Sequence, residues 1–542
     1  MAAYYNGKEI LFGVKVEQII GDFVTPQMFG AKGDGVTDDT DAIQAAVNAS
    51  LDVYIPSGTY LIDGDFETWV KAYEKGGIKL NSGQRVFMAA DCVIQVKPSP
   101  TGFYHAFRVY DCDNVEIHGG HIVGDRSNHD PNVTQACGYG IHVMMSANVL
   151  IDKVEISDMW ADGIILNTLD ELSGYNSSVI IKDCKIHDCR RQGISVVVGD
   201  NVLISNCTFD NIKGTPPESG IDLEPNAKSD STMDLHDITI ENCNVNNCGQ
   251  SFCFSRCHGL TVSNCAFDDG YIDTLTGYAV GQVVAGIDTY DVKFNNCNIC
   301  RLDNVENCDV TLYGCKVGIV INNSHKEKPY YPIVRLYDCL LTGEKTGFSE
   351  HVRAVNVNAG EAYFNNCEFA VQVGEPVKKT YIDSSGKEKT TTSNTQIIEG
   401  SAYCRFDGCS FGTIPYVDAV KTTNAERIWV AANADFNNCH FDVVISTEIP
   451  FYNPTKLTMQ DCHFKTNGYV FLYSGTVASG QVIASGNIFD CPFNVLYVYA
   501  GATITTPSLS LLNNTHINST RDFVRNDMSD TITVTDINNN KI

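Results

Sequence analysis

The chain has 542 residues, 43% of them hydrophobic, enough to bury a large core and to exclude wholesale disorder. A net charge of −27 and a pI near 4.7 exclude a nucleic-acid partner, whose phosphates need a basic face. Only 19% of residues are charged while glycine numbers 44, a balance that favours strands and turns over helices, and no apolar run approaches the ~18 residues that span a membrane. The first residues, Met1 to Lys8, lack a basic stretch followed by an apolar run and a small-residue cleavage site. No signal peptide is therefore expected, and the chain is expected to fold in a reducing cytoplasm. Its 22 cysteines should be thiols, because disulfide scaffolds are short and loop-rich. Residues 37–49 begin with hydroxyls and carboxylates suited to N-capping and carry an apolar stripe at Ala42, Ile43, Ala46 and Val47. This predicts a short amphipathic capping helix.

Beyond it a repeat takes over. Alternating apolar residues, then Asn, Asp or Gly, then Cys, any residue and an apolar residue recur from residues 180–186 and 203–209 through to 457–464. Cys184, Cys207, Cys243, Cys265, Cys297, Cys315, Cys339, Cys367, Cys409, Cys439 and Cys462 occupy the same slot, at steps of 18 to 42 residues. That is the turn length of a parallel β-solenoid with variable loops. Alternation turns each Cys inward, so the thiols should stack at the inter-strand spacing of roughly 4.8 Å and pack as small hydrophobes. No Cys-x-x-Cys pair with matching ligands points to zinc. A second column runs through residues 139–143, 162–167, 192–197 and 219–224: Gly is expected to turn the corner, the next Ile to point in, and the residue after it to point out. Two strands per turn are visible and a third is expected, making about 15 turns of about 26 residues between 100 and 498. Residues 375–393 read as a projecting hairpin, and the tail from 499 loses the Cys pattern.

Residues 24–40, including Gly30-Ala31-Lys32-Gly33-Asp34-Gly35-Val36-Thr37-Asp38-Asp39-Thr40, followed by Tyr54-Ile55-Pro56-Ser57-Gly58-Thr59-Tyr60, resemble the opening segment of the pectate-lyase superfamily. That superfamily of right-handed parallel β-helices includes polygalacturonases, uronan epimerases, and bacteriophage tailspikes and neck appendages. The resemblance implies an all-β, right-handed parallel β-helix with a short N-terminal capping helix. Residues 3–12 resemble N-terminal attachment segments of phage tail-associated proteins. Together these imply an attachment segment at 1–22 that meets other phage tail proteins, a cap and start of the helix at 23–99, the β-helix at 100–498, and a C-terminal cap or trimerisation segment at 499–542. A homotrimer in the virion is the implied assembly.

Chemistry is expected where outward side chains of the second column converge. Asp162, Glu218, Asp222 and Glu224 supply carboxyls, with Asp222 and Glu224 as the leading pair: positions i and i+2 of a strand lie roughly 6.6 Å apart on one face. Glycoside hydrolysis needs two carboxyls about 5 to 9.5 Å apart, one an acid and one a base or nucleophile. Arg190 or Arg191 would hold an acidic or hydroxyl-rich substrate, Trp160 would stack a sugar ring, and Asn167, Ser195 and His142 would line the same face. Asp268-Asp269 reads as a solvated turn. His258-Gly259 and Asn167-Thr168-Leu169-Asp170 only partly match polygalacturonase motifs, which argues against that mechanism.

Three functions stay open. The first is a tailspike depolymerase hydrolysing a host surface polysaccharide, with no required cofactor. The second is an Arg- and Ca²⁺-assisted lyase or a metal-assisted teichoic-acid-cleaving enzyme. The third is a non-catalytic receptor-binding rod.

Overall fold

The computed structural model describes residues 3–5, 8–10, 23–168, 174–225, 235–267, 282–285, 289–305, 308–323, 332–345, 352–372, 378–382, 388–392, 398–400, 402–414, 433–443, 451–452, 456–466, 470–473, 476–477, 480–492, 494–498, 503–504, 507–519, 522, 524–526 and 533–541. These form two compact units, residues 1–215 and 216–542.

In the first unit the three strands of each turn recur as three parallel columns. Asp52–Ile55, Arg85–Met88, Asp113–His118, Ala147–Asp152, Ser177–Lys182 and Asp200–Ser205 pair in sequence order. Gly58–Ile62, Cys92–Val96, His121–Val123, Glu155–Ser157, Lys185–His187 and Thr208–Asp210 make the second column. The third holds Ile78–Lys79, Phe103–Tyr110, Cys137–Met144, Asp162–Asn167 and Gln192–Val196. The inward positions of the first two columns are apolar, and Ile117, Ile151, Ile181 and Ile122, Ile156, Ile186 are fully buried. The third expected strand is present, and the chain is a parallel β-helix.

The expected helix forms as α1, Thr40–Ala49, burying Ile43, Ala46 and Val47. It starts three residues later than the sequence suggests, because Asp34–Asp38 is drawn into a strand beside Gly58–Ile62. Asp39 then accepts the backbone N–H groups of Lys32 and Gly33 at 2.7 and 2.9 Å, tying the chain ahead of the helix.

The Asn/Asp/Gly-Cys signature has a backbone cause. The residue before each repeated cysteine turns from the first column into the second with positive φ: Asp183 at 54°, Asn206 at 53°, Asn296 at 53°, Gly408 at 64°. Only Gly, Asn and Asp visit that region readily. The following Cys drops inward: all eleven column cysteines are buried thiols outside any disulfide, and each Sγ reaches the carbonyl two residues before it, as at Cys207 (3.3 Å) and Cys462 (3.2 Å).

In the second unit the same rung recurs, from Leu235–Glu241 to Thr533–Ile537 in the first column. Its interior is filled by phenylalanine stacks: Phe364, Phe406 and Phe436 at 4.8 and 4.7 Å, and Phe369, Phe411, Phe441 and Phe464 at 4.5, 4.5 and 4.4 Å. The predicted hairpin is Lys378–Ile382 paired antiparallel with Glu388–Thr392.

Two expected boundaries move. Parallel strand pairing is already present at Asp34–Asp38 and Asp52–Ile55, ahead of residue 100, and continues past 498 through Pro507–Leu512, Thr515–Ile517, Thr533–Ile537 and Asn540–Lys541. In that tail Asn487, Asn514 and Asn539 take over the cysteine slot and bond side chain to side chain at 2.9 and 3.0 Å. The Cys pattern ends there because an amide ladder replaces the thiol column. Near the N-terminus, Ala3–Tyr5 and Lys8–Ile10 form a small antiparallel pair; most of the expected attachment segment lies outside the described residues.

Candidate functional site

The glycines of the third column do not turn corners. Gly140 and Gly163 sit within strands, and an added Cβ at Gly163 would lie 2.7 Å from the Gly193 carbonyl and 2.6 Å from the Ile186 side chain. They are needed for close approach of neighbouring backbones. The face beyond them is also more covered than alternation implies. His142 is fully buried, and Ser195, Asn167 and Asp162 are buried.

The cover over His142 comes from residues 63–77. Trp69 packs edge-on against His142 at 6.1 Å, and Arg108 donates to the Tyr73 carbonyl at 2.8 Å. His105 Nε2 meets the Lys75 and Gly76 carbonyls at 3.0 and 2.9 Å, so it carries the proton. His105 Nδ1 then accepts from the Tyr110 hydroxyl (3.2 Å), whose oxygen accepts from Nδ1–H of His142 (2.7 Å). Burial holds His105 neutral, its pKa pulled down to about 3, and drives His142 well below the usual imidazole range. His142 is thus a core histidine, and it is corrected as a substrate-binding residue. Ser195 is buried on the same face.

The other predicted residues divide between the units. In the first, Arg191 Nε donates to Asp162 Oδ1 at 2.8 Å while the carboxyl is wholly buried. Burial raises the Asp162 pKa against the pull of Arg191, whose own pKa the carboxylate raises despite burial. Asp162, read as a catalytic reserve, and Arg191, read as a substrate-binding cation, are thus paired with each other in this structure. Trp160 is engaged too: His129 stacks on the indole at 3.7 Å, Arg190 lies 4.0 Å from the ring centroid, and Nε1 donates to the Gln135 carbonyl at 2.5 Å. Asp125, buried with His129, accepts from its Nδ1 at 2.6 Å and fixes the imidazole. The indole is therefore corrected from an open sugar platform to the base of a His129–Trp160–Arg190 stack. Arg190 stays partly exposed, although its Nη1 is buried with no hydrogen-bond partner among the described residues. Burial and the nearby Arg126 lower its pKa. Asn167 accepts the Thr168 N–H at 2.8 Å, a local turn bond.

In the second unit Ser219–Leu223 pairs with Gln250–Phe254, placing Asp222 opposite Cys253. Asp222 is 1% exposed, Glu224 lies just past the strand end in solvent, and Glu218 is half-buried with φ of 57°. Burial drives the Cys253 thiol up, and Asp222 and, more weakly, Glu224 add to it. Glu218 packs where a side chain at residue 249 would stand, 2.4 Å from its Cβ, which explains Gly249. Sequence reasoning missed His129, Asp125 and Cys253. For Cys253 the signal was present, since it lies in register with Asp222 one turn on. Asp268-Asp269 lies outside the described residues.

Residues 70–230 match the family model described as the right handed beta helix region, which agrees with the fold implied by the resemblance at residues 24–60. Among curated relatives, the uncharacterized protein YclG of Bacillus subtilis is 33% identical over 223 residues, 37% of this chain and 38% of that protein. The SPbeta prophage-derived uncharacterized protein YorA, also of Bacillus subtilis, is 27% identical over 310 residues, 52% of each chain. The chain spans about half or less of the length of these two relatives. A shorter stretch of 31 residues, 6% of this chain and 4% of the other, is 64% identical to Depolymerase 1, capsule K30/K69-specific, of Klebsiella phage K5-2. Among solved structures, a tailspike protein double mutant of E. coli bacteriophage HK620 aligns with a TM-score of 0.43 at 11% identity, covering 87% of this chain and 80% of that one.

Proposed function

We propose that this protein is a phage tailspike-type depolymerase that binds and hydrolyses a host cell-surface polysaccharide. The reading is carried by one observation: Asp222, buried in the strand Ser219–Leu223, and Glu224, exposed just past its end, are two carboxyls in unlike surroundings only two residues apart. That asymmetry is what separates a general acid from a base or nucleophile. The similarity to a capsule-specific depolymerase and to a prophage protein supports a surface polymer as substrate. In this reading Asp222 donates the proton to the leaving oxygen, Glu224 acts as base or nucleophile, and Glu218 is the nearby third carboxyl. Arg190, partly exposed in the first unit, is the cation proposed to contact hydroxyl or acid groups of the polymer. The protein acts in the virion as a homotrimer held by its first 22 residues to other tail proteins.

A lyase reading is favoured by Arg190 itself, a guanidinium whose pKa is lowered beside an indole. There Ca²⁺ would neutralise a uronate, and an arginine would take the proton. Incubation with purified surface polymers from candidate hosts separates the readings. Hydrolysis yields new reducing ends without ultraviolet absorbance and survives chelator. Elimination yields an absorbing unsaturated product, and unchanged polymer length supports a binding rod.

A further inference from the structure

A group of side chains away from these carboxylates matches metal chemistry. His121, Glu155 and His187 come from three successive turns of the first unit, on the strands His121–Val123, Glu155–Ser157 and Lys185–His187. His121 lies in register with Glu155, and Ser157 with His187. The intervening Ile122, Ile156 and Ile186 are fully buried, so the three polar side chains project from the opposite face. One ligand atom from each lies within 4.8 Å of the others, and all three residues are half-buried.

We infer that these residues form a binding site for a divalent transition metal of the Zn²⁺, Co²⁺ or Ni²⁺ class. Two imidazoles and one carboxylate are a donor set for such borderline ions rather than for Ca²⁺, which takes six to eight oxygens. His187 Nε2 is already 3.0 Å from Glu155 Oε1, close to the ~3.3 Å donor separation that a tetrahedral ion with ~2.0 Å bonds imposes. His187 Nδ1 bonds Asp188 Oδ2 at 2.6 Å, the carboxylate–imidazole support that fixes a metal-ligating ring. His121 Nε2 meets the Ser157 hydroxyl at 2.8 Å, a bond that rotation of the hydroxyl releases. Lys185 Nζ is 2.7 Å from Glu155 Oε1 and competes with an arriving ion for that oxygen. The bound ion ties three turns of the β-helix together from outside, leaving room for water or a ligand at the remaining position.

Titration of the full chain with Co²⁺, read by visible absorption, tests this. One equivalent should bind and produce d–d bands without thiolate-to-cobalt charge transfer, which separates this site from the many cysteines. His121→Ala and His187→Ala should each weaken binding at least ~100-fold, Asp188→Asn should weaken it ~10-fold, and Lys185→Met should strengthen it. Circular dichroism of each variant establishes that it is folded, and Asp188→Asn tests the site should an alanine variant unfold. Absence of a visible band, a thiolate-type spectrum, or unchanged binding in the His121→Ala/His187→Ala double variant would overturn the assignment.

Discussion

The buried His105–Tyr110–His142 chain makes the first unit sensitive to mild acid. An exposed imidazole in the unfolded chain takes up a proton near pH 6.5, whereas burial holds His105 neutral to about pH 3 and His142 to well below 6.5. Below pH 6.5 the unfolded state therefore binds protons that the folded state refuses, and stability falls as pH falls. Each such imidazole approaches a slope of about 1.4 kcal/mol per pH unit as its unfolded form becomes protonated, so from pH 6.5 to pH 5 the pair costs about 3 kcal/mol. That is a large share of the ~5–15 kcal/mol that holds a typical domain. His118 has the opposite sign: burial lowers its pKa, but Asp152 and Glu116 outweigh it, so its contribution is present in acid and fades as pH rises through its raised value. The lowered carboxylates of Glu116 and Asp152 lose their contribution only as pH falls through the carboxylate range, below the window considered. Urea unfolding at a series of pH values between 6.5 and 5, followed by tryptophan fluorescence, should show this slope for the native sequence. His105→Gln and His142→Gln should each remove up to about 1.4 kcal/mol per pH unit, and the double variant about twice that, whatever their cost at pH 7. A double variant with the native slope would refute the reasoning.

Other expectations concern the core and the carboxylates. Nineteen of the 22 thiols are buried, and burial with Asp91 nearby pushes Cys92 up to about 12; no more than Cys137, Cys253 and Cys300 should react promptly with a thiol reagent under native conditions, and all 22 in denaturant. Phe411→Ala removes a buried ring stacked at 4.5 Å on two neighbours and should cost about 3–5 kcal/mol, read as accelerated amide exchange centred on its own and adjoining turns rather than uniformly. Asn514→Ala deletes the middle of the amide ladder and leaves the Ala484 carbonyl and its neighbours short of donors, which should cost about 1–3 kcal/mol, measured by the same exchange in the C-terminal rungs.

Much of this fold is legible because one turn writes the same local physics each time. A left-handed Asn, Asp or Gly followed by an inward Cys marks the bend between the first two columns, and eleven repetitions leave little ambiguity. The tail escaped that reading because Asn514 keeps the shape of the slot while changing its chemistry, and an amide ladder has no apolar pattern. The third column shows a different limit. Alternation says which way His142 and Ser195 face, but whether a face meets water depends on what packs over it; for His142 the cover is supplied by residues 63–77, remote in sequence. Trp160 and Arg191 were read as free because their partners, His129 and Asp162, lie about 30 residues away along the chain, one turn of the β-helix distant.

Polymer length decides the central claim. A susceptible purified surface polysaccharide should be cut to oligosaccharides with new reducing ends by the native chain, while Asp222→Asn and Glu224→Gln, folded by circular dichroism, should each lose at least ~100-fold in rate. Full depolymerising activity in both variants, or no shortening of any host polymer by the native chain, would contradict a hydrolase built on these two carboxylates.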